Sequence, residues 1–230
     1  MEIKLSIVVP CYNEAENIEL LVEEFAKFMQ DDIELILVDN GSTDKTAEVL
    51  LELHKKHDWL EIVVIAENIG YGNGIWQGIK QAKGKYIGWM HGDLQTPADS
   101  IFVYLRRNEF AKGRRQGRSL IDRFFTFGMS CFVSLILRKW LNDIHAQPNI
   151  AHRDFYKDLE PPKDWAFDTY MYYKAKEKGY KIVKFPVEFG ARIHGESSWN
   201  TSLKNKWKFI KRTIISTWGV RKNVTRKKYN

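Results

Sequence analysis

Asp93 and Gln95 stand two positions apart at the end of the apolar stretch Tyr86-Ile-Gly-Trp-Met-His-Gly-Asp-Leu-Gln95. In an extended segment, side chains two apart leave on the same side. The pair would then present two oxygen ligands at a strand end, with room for waters and phosphate oxygens, which suits a hard divalent cation such as Mg²⁺ or Mn²⁺. Asp93 would equally serve as the cap of the helix that Pro97 opens. The elements around the pair must decide.

Those elements alternate. Ile3 to Pro10 reads as a buried strand, and Asn13 with Glu16 three residues on has the pattern of a capping box for an amphipathic helix to about Met29. Ile33 to Val38 is a second apolar strand, followed by Asp39-Asn-Gly-Ser-Thr-Asp44 and a helix with Ala47, Leu50, Leu51 and His54 at helical spacing. Glu61 to Ala66 gives a third strand, Tyr71 to Ala82 a Gly-rich helix, and Lys85 to Met90 the strand that delivers Asp93. Such alternation predicts an α/β fold with a mainly parallel sheet covered on both faces and ligands at the carboxyl ends of the strands. After about Lys112 the pattern changes. A long apolar helix from Leu120 to Leu141, a Pro-bearing loop near Gln147, a helix from Phe167 to Lys178 and a strand from Lys181 to Phe189 lead to the loop 190–200.

The chain has 230 residues, 44% hydrophobic and 28% charged, an ordinary globular composition that argues against disorder. Its two cysteines, Cys11 and Cys131, fit neither a disulfide framework nor a metal-spaced pair. With no signal-peptide pattern before Ile3, a cytoplasmic location is expected. The net charge of +7 is concentrated in the last segment, where Leu203 to Asn230 carries ten Lys or Arg and no acid. The division expected is residues 1–202 as one domain, with a nucleotide-binding half to about 112 and an acceptor half after it, and 203–230 as a basic amphipathic helix.

Strand one ending Val-Val-Pro-Cys-Tyr-Asn-Glu14, strand two ending Val-Asp-Asn-Gly-Ser-Thr-Asp44, the segment Asn68-Ile-Gly-Tyr-Gly72 and the later Gly-Asp-Leu-Gln95 together resemble a family-2 glycosyltransferase of GT-A (Rossmann-like) fold. The Asp-Leu-Gln form is similar to that of the polyprenyl-phosphate, dolichol-phosphate mannose synthase-like branch. The likeness covers about residues 3–110 and is looser beyond, resting on Gly113 to Arg115, Arg123 and Arg192-Ile-His-Gly-Glu-Ser197.

The resemblance implies that Pro10, Tyr12 and Glu14 line a nucleotide pocket, that Asp39 accepts from the base with Ser42 in the same wall, and that Asp93 and Gln95 bind the metal bridging the donor diphosphate. Asp39 alone would equally form an Asx turn before Gly41. Guanidinium pairs geometrically with phosphate, so Arg114 is expected at the donor, Arg123 at the reacting acceptor, and Arg192 with Ser197 at the acceptor phosphate, with Arg115 a solvated charge. The sequence also departs from the family. His91 stands where an acid is usual, Asn40 where strand two carries its second acid, Asp168 where the branch carries Gln, and Ser198 where it carries Lys. The first two leave a weaker metal site. Asp168 would be either the base of a hydroxyl-directed enzyme or a helix cap.

The run Phe124 to Leu137, closed by Arg123 and by Arg138-Lys139, is about 14 residues and reads as too short to span a bilayer. It must be buried in the core or at a membrane interface. Trp207, Phe209, Ile210, Ile214, Ile215 and Trp218 interleave with cations as in an interfacial helix. The reading is a metal-dependent inverting transferase that takes a nucleotide sugar and a lipid-linked acceptor, peripheral at the cytoplasmic face of an anionic membrane and not bound to nucleic acid. Transfer to a sugar hydroxyl with Asp168 as base, and a non-catalytic nucleotide-sugar-binding module, are the alternatives.

Overall fold

A computed structural model describes residues 2–188, 190 and 203–226. The elements run β1 (Leu5–Cys11), α1 (Ala15–Ala26), β2 (Ile33–Asn40), α2 (Thr46–His54), β3 (Leu60–Ile65), α3 (Tyr71–Gln81), β4 (Tyr86–Trp89), β5 (Glu109–Gln116), α4 (Leu120–Leu137), β6 (Asn149–His152), α5 (Phe167–Glu177), β7 (Lys181–Glu188) and α6 (Leu203–Arg226). They build a seven-stranded sheet of order β3-β2-β1-β4-β6-β5-β7. β1 pairs in parallel with β2 and β4, β2 with β3, and β5 with β7, while β6 runs antiparallel to both β4 and β5.

Every residue of β2 is buried, as its unbroken apolar run requires of a strand covered on both faces. Alternation in β1 sends Ile7 and Val9 to the core under α1 and α2, with Ile18, Leu21 and Phe25, and sends Val8 to the opposite core with Val38, Ile75 and Ile79 of α3. Each such fully buried side chain contributes about 1.5–3 kcal/mol of transfer free energy. Gly78 lets α3 lie close on the sheet, since a Cβ there would come within 2.4 Å of Val8.

β1 lies between β2 and β4, so the chain order reverses there and opens a crevice beyond the carboxyl ends of β1 and β4. β5 and β6 have no counterpart in the sequence reading. β5 holds Lys-Gly-Arg-Arg-Gln and β6 only four residues, so neither shows apolar periodicity. They are strands because their neighbours supply the hydrogen bonds.

α4 is 18 residues long and ends before Arg138, which adopts a left-handed conformation. The expectation that this segment is too short to cross a bilayer needs correction. By length and composition α4 could cross a membrane, and only 22% of it is buried. Core burial therefore does not account for its apolar surface. α6 packs against α4 and α5, placing Val220 and Val224 in the core while Trp207, Ile215 and Trp218 stay exposed.

Candidate active site

The loops after β1 and β2 interlock through polar side chains. Asn13, left-handed at φ 54°, accepts from the Thr43 backbone N–H at 2.9 Å and donates its own N–H to Ser42 Oγ at 3.0 Å. The capping-box expectation fails for that reason. α1 begins at Ala15 behind Glu14, with no side-chain cap, and Asn13 is spent on the neighbouring loop. Asp39 is buried and its Oδ1 accepts from the Ser42 N–H at 2.9 Å, one residue beyond the reach of an Asx turn, across the bend that Gly41 makes at φ 75°. Glu14 takes a hydrogen bond from Asn17 and gives its N–H to Thr46 Oγ1, and Tyr12 stands half-exposed beside it. Pro10, Tyr12, Glu14, Asp39 and Ser42 thus lie together at the carboxyl ends of β1 and β2.

Asn40 is turned toward the loop that precedes α3. Its Nδ2 donates to Asn68 Oδ1 and to Gly70 O, tying down the 68–70 loop, and its side chain packs on Gly74 of α3. An ionised aspartate there could make neither donation.

Beyond β4 the chain is not extended. Leu94 is left-handed at φ 55°, and Asp93 Oδ1 accepts from the Gln95 N–H at 3.2 Å. The short 3₁₀ turn at Ala98–Ile101 has Pro97 at its start and no side-chain cap, so Asp93 is not its cap. Gln95 Nε2 donates to Gly190 O at 3.1 Å. Both Asp93 and Gln95 line a cavity of about 670 Å³. One carboxylate and one amide oxygen suit a hard cation when diphosphate oxygens fill the remaining positions. Among the described residues no cluster of three His, Cys, Asp or Glu forms a complete metal cage. His91 belongs instead to an aromatic group, 5.5 Å from the Tyr71 ring and stacked 6.4 Å from Trp165.

The cavity continues from Asp93 past Arg115, Arg118 and Arg212 to Phe124, Phe125, Met129 and Phe132 of α4 and to Ile210 and Ile214 of α6. Its lining is cationic in part and apolar in part. Arg114 and Arg123 are exposed and do not line the cavity, whereas Arg115 and Arg118 do, converging on Asp143. Burial and the neighbouring Arg115 lower the Arg118 pKa, a mark of positive charge that Asp143 incompletely offsets. Arg192 and Ser197 lie outside the described residues.

Asp168 is 2% exposed and does not line the cavity. Its Oδ1 accepts from Trp89 Nε1 at 2.8 Å, Gln147 Nε2 lies 3.3 Å from Oδ2, and His145 Nδ1 is 3.7 Å away. Nor does it cap α5, whose first residue is Phe167 and which has no side-chain cap. Burial pushes the Asp168 carboxyl up, but His145, Lys112 and His91 outweigh that and hold it below the usual carboxylate range. Burial lowers the His145 pKa despite Asp168. Lys112, itself buried, donates to Ile144 O at 2.8 Å and Ala146 O at 2.7 Å, fixing the backbone on both sides of His145.

Tyr71, His145, Trp165, Arg118 and Arg212 were not singled out by motif. Arg212 lies 4.8 Å over the Trp165 ring, and Trp165 sits 5.1 Å from Tyr71 and 5.2 Å from His145. The one local signal was Tyr71, inside Asn68-Ile-Gly-Tyr-Gly72. The others come from four separate segments.

Residues 6–114 match the glycosyl transferase family 2. Among curated proteins the chain is 36% identical over 102 residues to an undecaprenyl-phosphate 4-deoxy-4-formamido-L-arabinose transferase of Photorhabdus laumondii, covering 43% of this chain and 31% of the relative. It is 30% identical over 113 residues to a poly-beta-1,6-N-acetyl-D-glucosamine synthase of Staphylococcus epidermidis, covering 49% of this chain and 27% of that one. The chain therefore spans under a third of the length of these relatives. In structure it is similar to a mannosyltransferase of Pyrobaculum calidifontis solved with GDP-Man and Mn²⁺ (TM-score 0.69, 17% identity, 95% of this chain and 64% of that one). It is also similar to glucosyl-3-phosphoglycerate synthase of Mycobacterium tuberculosis, solved with Mn²⁺ and UDP (TM-score 0.68, 15% identity, 95% and 79%). Residues 6–114 are thus similar in sequence to glycosyl transferase family 2, and the described chain has a GT-A-like fold.

Proposed function

We propose that this chain is an inverting glycosyltransferase that moves a sugar from a nucleotide-sugar donor to a polyprenyl phosphate at the cytoplasmic face of a membrane. The observation that carries this reading is the cavity itself. Its lining joins Asp93 and Gln95, the cations Arg115, Arg118 and Arg212 and the acid Asp122 to apolar side chains of α4 and α6. That combination of cationic and apolar lining suits an anion attached to an apolar chain. The 36% identity to a transferase named for undecaprenyl phosphate supports the same acceptor class, and the nucleotides bound by the structural relatives support the donor.

In this reading the β1 and β2 loops hold the nucleotide, and Arg115 and Arg118 hold the acceptor phosphate. Asp93 and Gln95 would hold Mg²⁺ or Mn²⁺, which when bound supplies Lewis-acid stabilisation of the departing diphosphate. The ionised acceptor has no proton to lose. Its oxygen bonds to the anomeric carbon on the face opposite the diphosphate while the carbon–oxygen bond to the donor breaks, the electron pair leaving with the nucleoside diphosphate. Asp168, sealed behind Tyr71 and His145, is then a buried anchor rather than a base. The exposed faces of α4 and α6 would meet the membrane.

The test is transfer from a panel of UDP-, GDP- and dTDP-sugars to undecaprenyl phosphate in detergent, with and without Mn²⁺. Product that extracts with the lipid is expected. Absence of product with every donor overturns the acceptor assignment, and transfer to an oligosaccharide that Asp168→Asn abolishes would restore the hydroxyl reading.

A further inference from the structure

Around the turn that follows α4 lies a second group of cations, none of which lines the cavity. Lys176 on α5 donates to Trp140 O at 2.7 Å, Lys139 reaches Lys176 O at 3.4 Å, and Lys184 on β7 pairs with Asn142 in the same turn. Lys176 stands 5.6 Å from the Tyr172 ring and Lys139 5.7 Å from the Tyr173 ring. These cations crowd one another. Burial and then Lys139 lower the Lys176 pKa, while burial, Lys176 and Arg114 lower that of Lys184. The acid acting on Lys184 is Asp143, already bonded to Arg115. Their neighbours are apolar and exposed. Leu135 is 77% and Trp140 50% accessible, and Trp140 meets Phe127 of α4 edge-on at 6.3 Å. From α6, Arg221 donates to Ile136 O at the same end of α4 and lies 5.7 Å over Trp218.

We infer that Lys139, Lys176 and Lys184, around Trp140, form a docking site for the phosphate-bearing headgroups of anionic lipids, separate from the transfer cavity. Three observations select this occupant. The cations repel one another and so are stabilised by an anion. Leu135, Trp140 and Phe127 supply the apolar contact that a bilayer interface takes and a soluble anion does not. The patch is continuous with the exposed face of α4. It rests on the reading of that face as membrane-contacting, and it adds a lipid preference that the cavity does not require.

The experiment measures partitioning of the full chain onto vesicles of phosphatidylcholine alone and of phosphatidylcholine with phosphatidylglycerol. Wild type should prefer the anionic vesicles, and the K139Q/K176Q/K184Q variant should bind them about a hundredfold more weakly, a factor of about five for each surface cation. The K45Q/K55Q/K56Q variant, which removes equal charge from α2 and its approaches, should lose only a few-fold. Should the first triple variant fail to melt cooperatively, the three single variants serve, each expected to lose about fivefold. Equal losses in the two triple variants, or no loss in the single ones, overturn the site. Failure of wild type to bind either vesicle overturns the membrane-facing reading and this inference with it.

Discussion

The two walls of the crevice are built by opposite means. The wall proposed for the donor is made of consecutive loops, at the ends of adjacent strands β1 and β2, whose short polar side chains cross-link one another: Asn13 to Ser42 and Thr43, Glu14 to Thr46, Asp39 to Ser42. The wall proposed for the acceptor is made of distant segments, β5, α4, the 144–149 loop, Trp165 and α6, held by buried charge and aromatic contact. The first is fixed by local turn chemistry. The second depends on tertiary packing, so its residues double as structural supports, and changing them tests stability and chemistry together.

The sharpest break in this comparison is at Asp93, where the walls meet. Asp93→Ala should lower turnover by about a thousandfold, the scale expected when electrostatic stabilisation of a leaving group is removed, with thermal unfolding unchanged. Steady-state kinetics beside calorimetry checks it. Next, Arg118→Ala should lower kcat/KM about thirtyfold, mostly through the KM for the acceptor, the effect of about 2 kcal/mol from one charged hydrogen-bond partner. A loss confined to the KM for the nucleotide sugar would move Arg118 to the donor wall.

Asp168→Ala should act on stability. It strips the buried Trp89 N–H of its acceptor, which costs about 2–3 kcal/mol in denaturant titration. Asp168→Asn, keeping an oxygen for that N–H, should recover most of this and retain activity within several-fold.

Lys112→Met leaves the Ile144 and Ala146 carbonyls without their donor, at about 2 kcal/mol. Its pH dependence has a definite sign. Burial brings the Lys112 pKa down to about 8 from 10.5. Between these values the unfolded chain holds the proton that the folded chain has released. Lys112 therefore adds stability as pH rises from 8 to 10.5, and nothing to the slope below 8. Wild type should gain on Lys112→Met across that window in melts at successive pH values. The smallest effect belongs to the donor wall, where Asn13→Ala should cost about 1 kcal/mol through one lost hydrogen bond and a left-handed backbone without asparagine.

The difference between the walls also explains what could be read in advance. The strands β1 to β4, the helices between them, and the placing of Pro10, Tyr12, Glu14, Asp39, Ser42, Asp93 and Gln95 at strand ends follow from apolar runs interrupted by Gly, Asn and Asp. The reading failed where side-chain partners settle the outcome. Spacing alone predicts a cap at Asn13, a diluted metal ligand at Asn40, and neighbours on an extended strand at Asp93 and Gln95. Each misreading turns on a backbone angle or a hydrogen bond to a residue elsewhere in the chain. Among the arginines, Arg114 and Arg115 are adjacent and alike in sequence, and only the packing of β5 against the Asp143 turn makes Arg115 the one that lines the cavity.

What the sequence determined by itself is the alternating α/β scaffold and the polar strand ends, because a strand buried on both faces leaves an unmistakable apolar run and turns demand particular residues. The tertiary structure decided that β5 and β6 are strands, that Asp168 is sealed in while Arg115 and Arg118 line the cavity, and that α4 keeps most of its apolar surface exposed. Those outcomes depend on which distant segments pack together, and neither local propensity nor residue spacing carries that information.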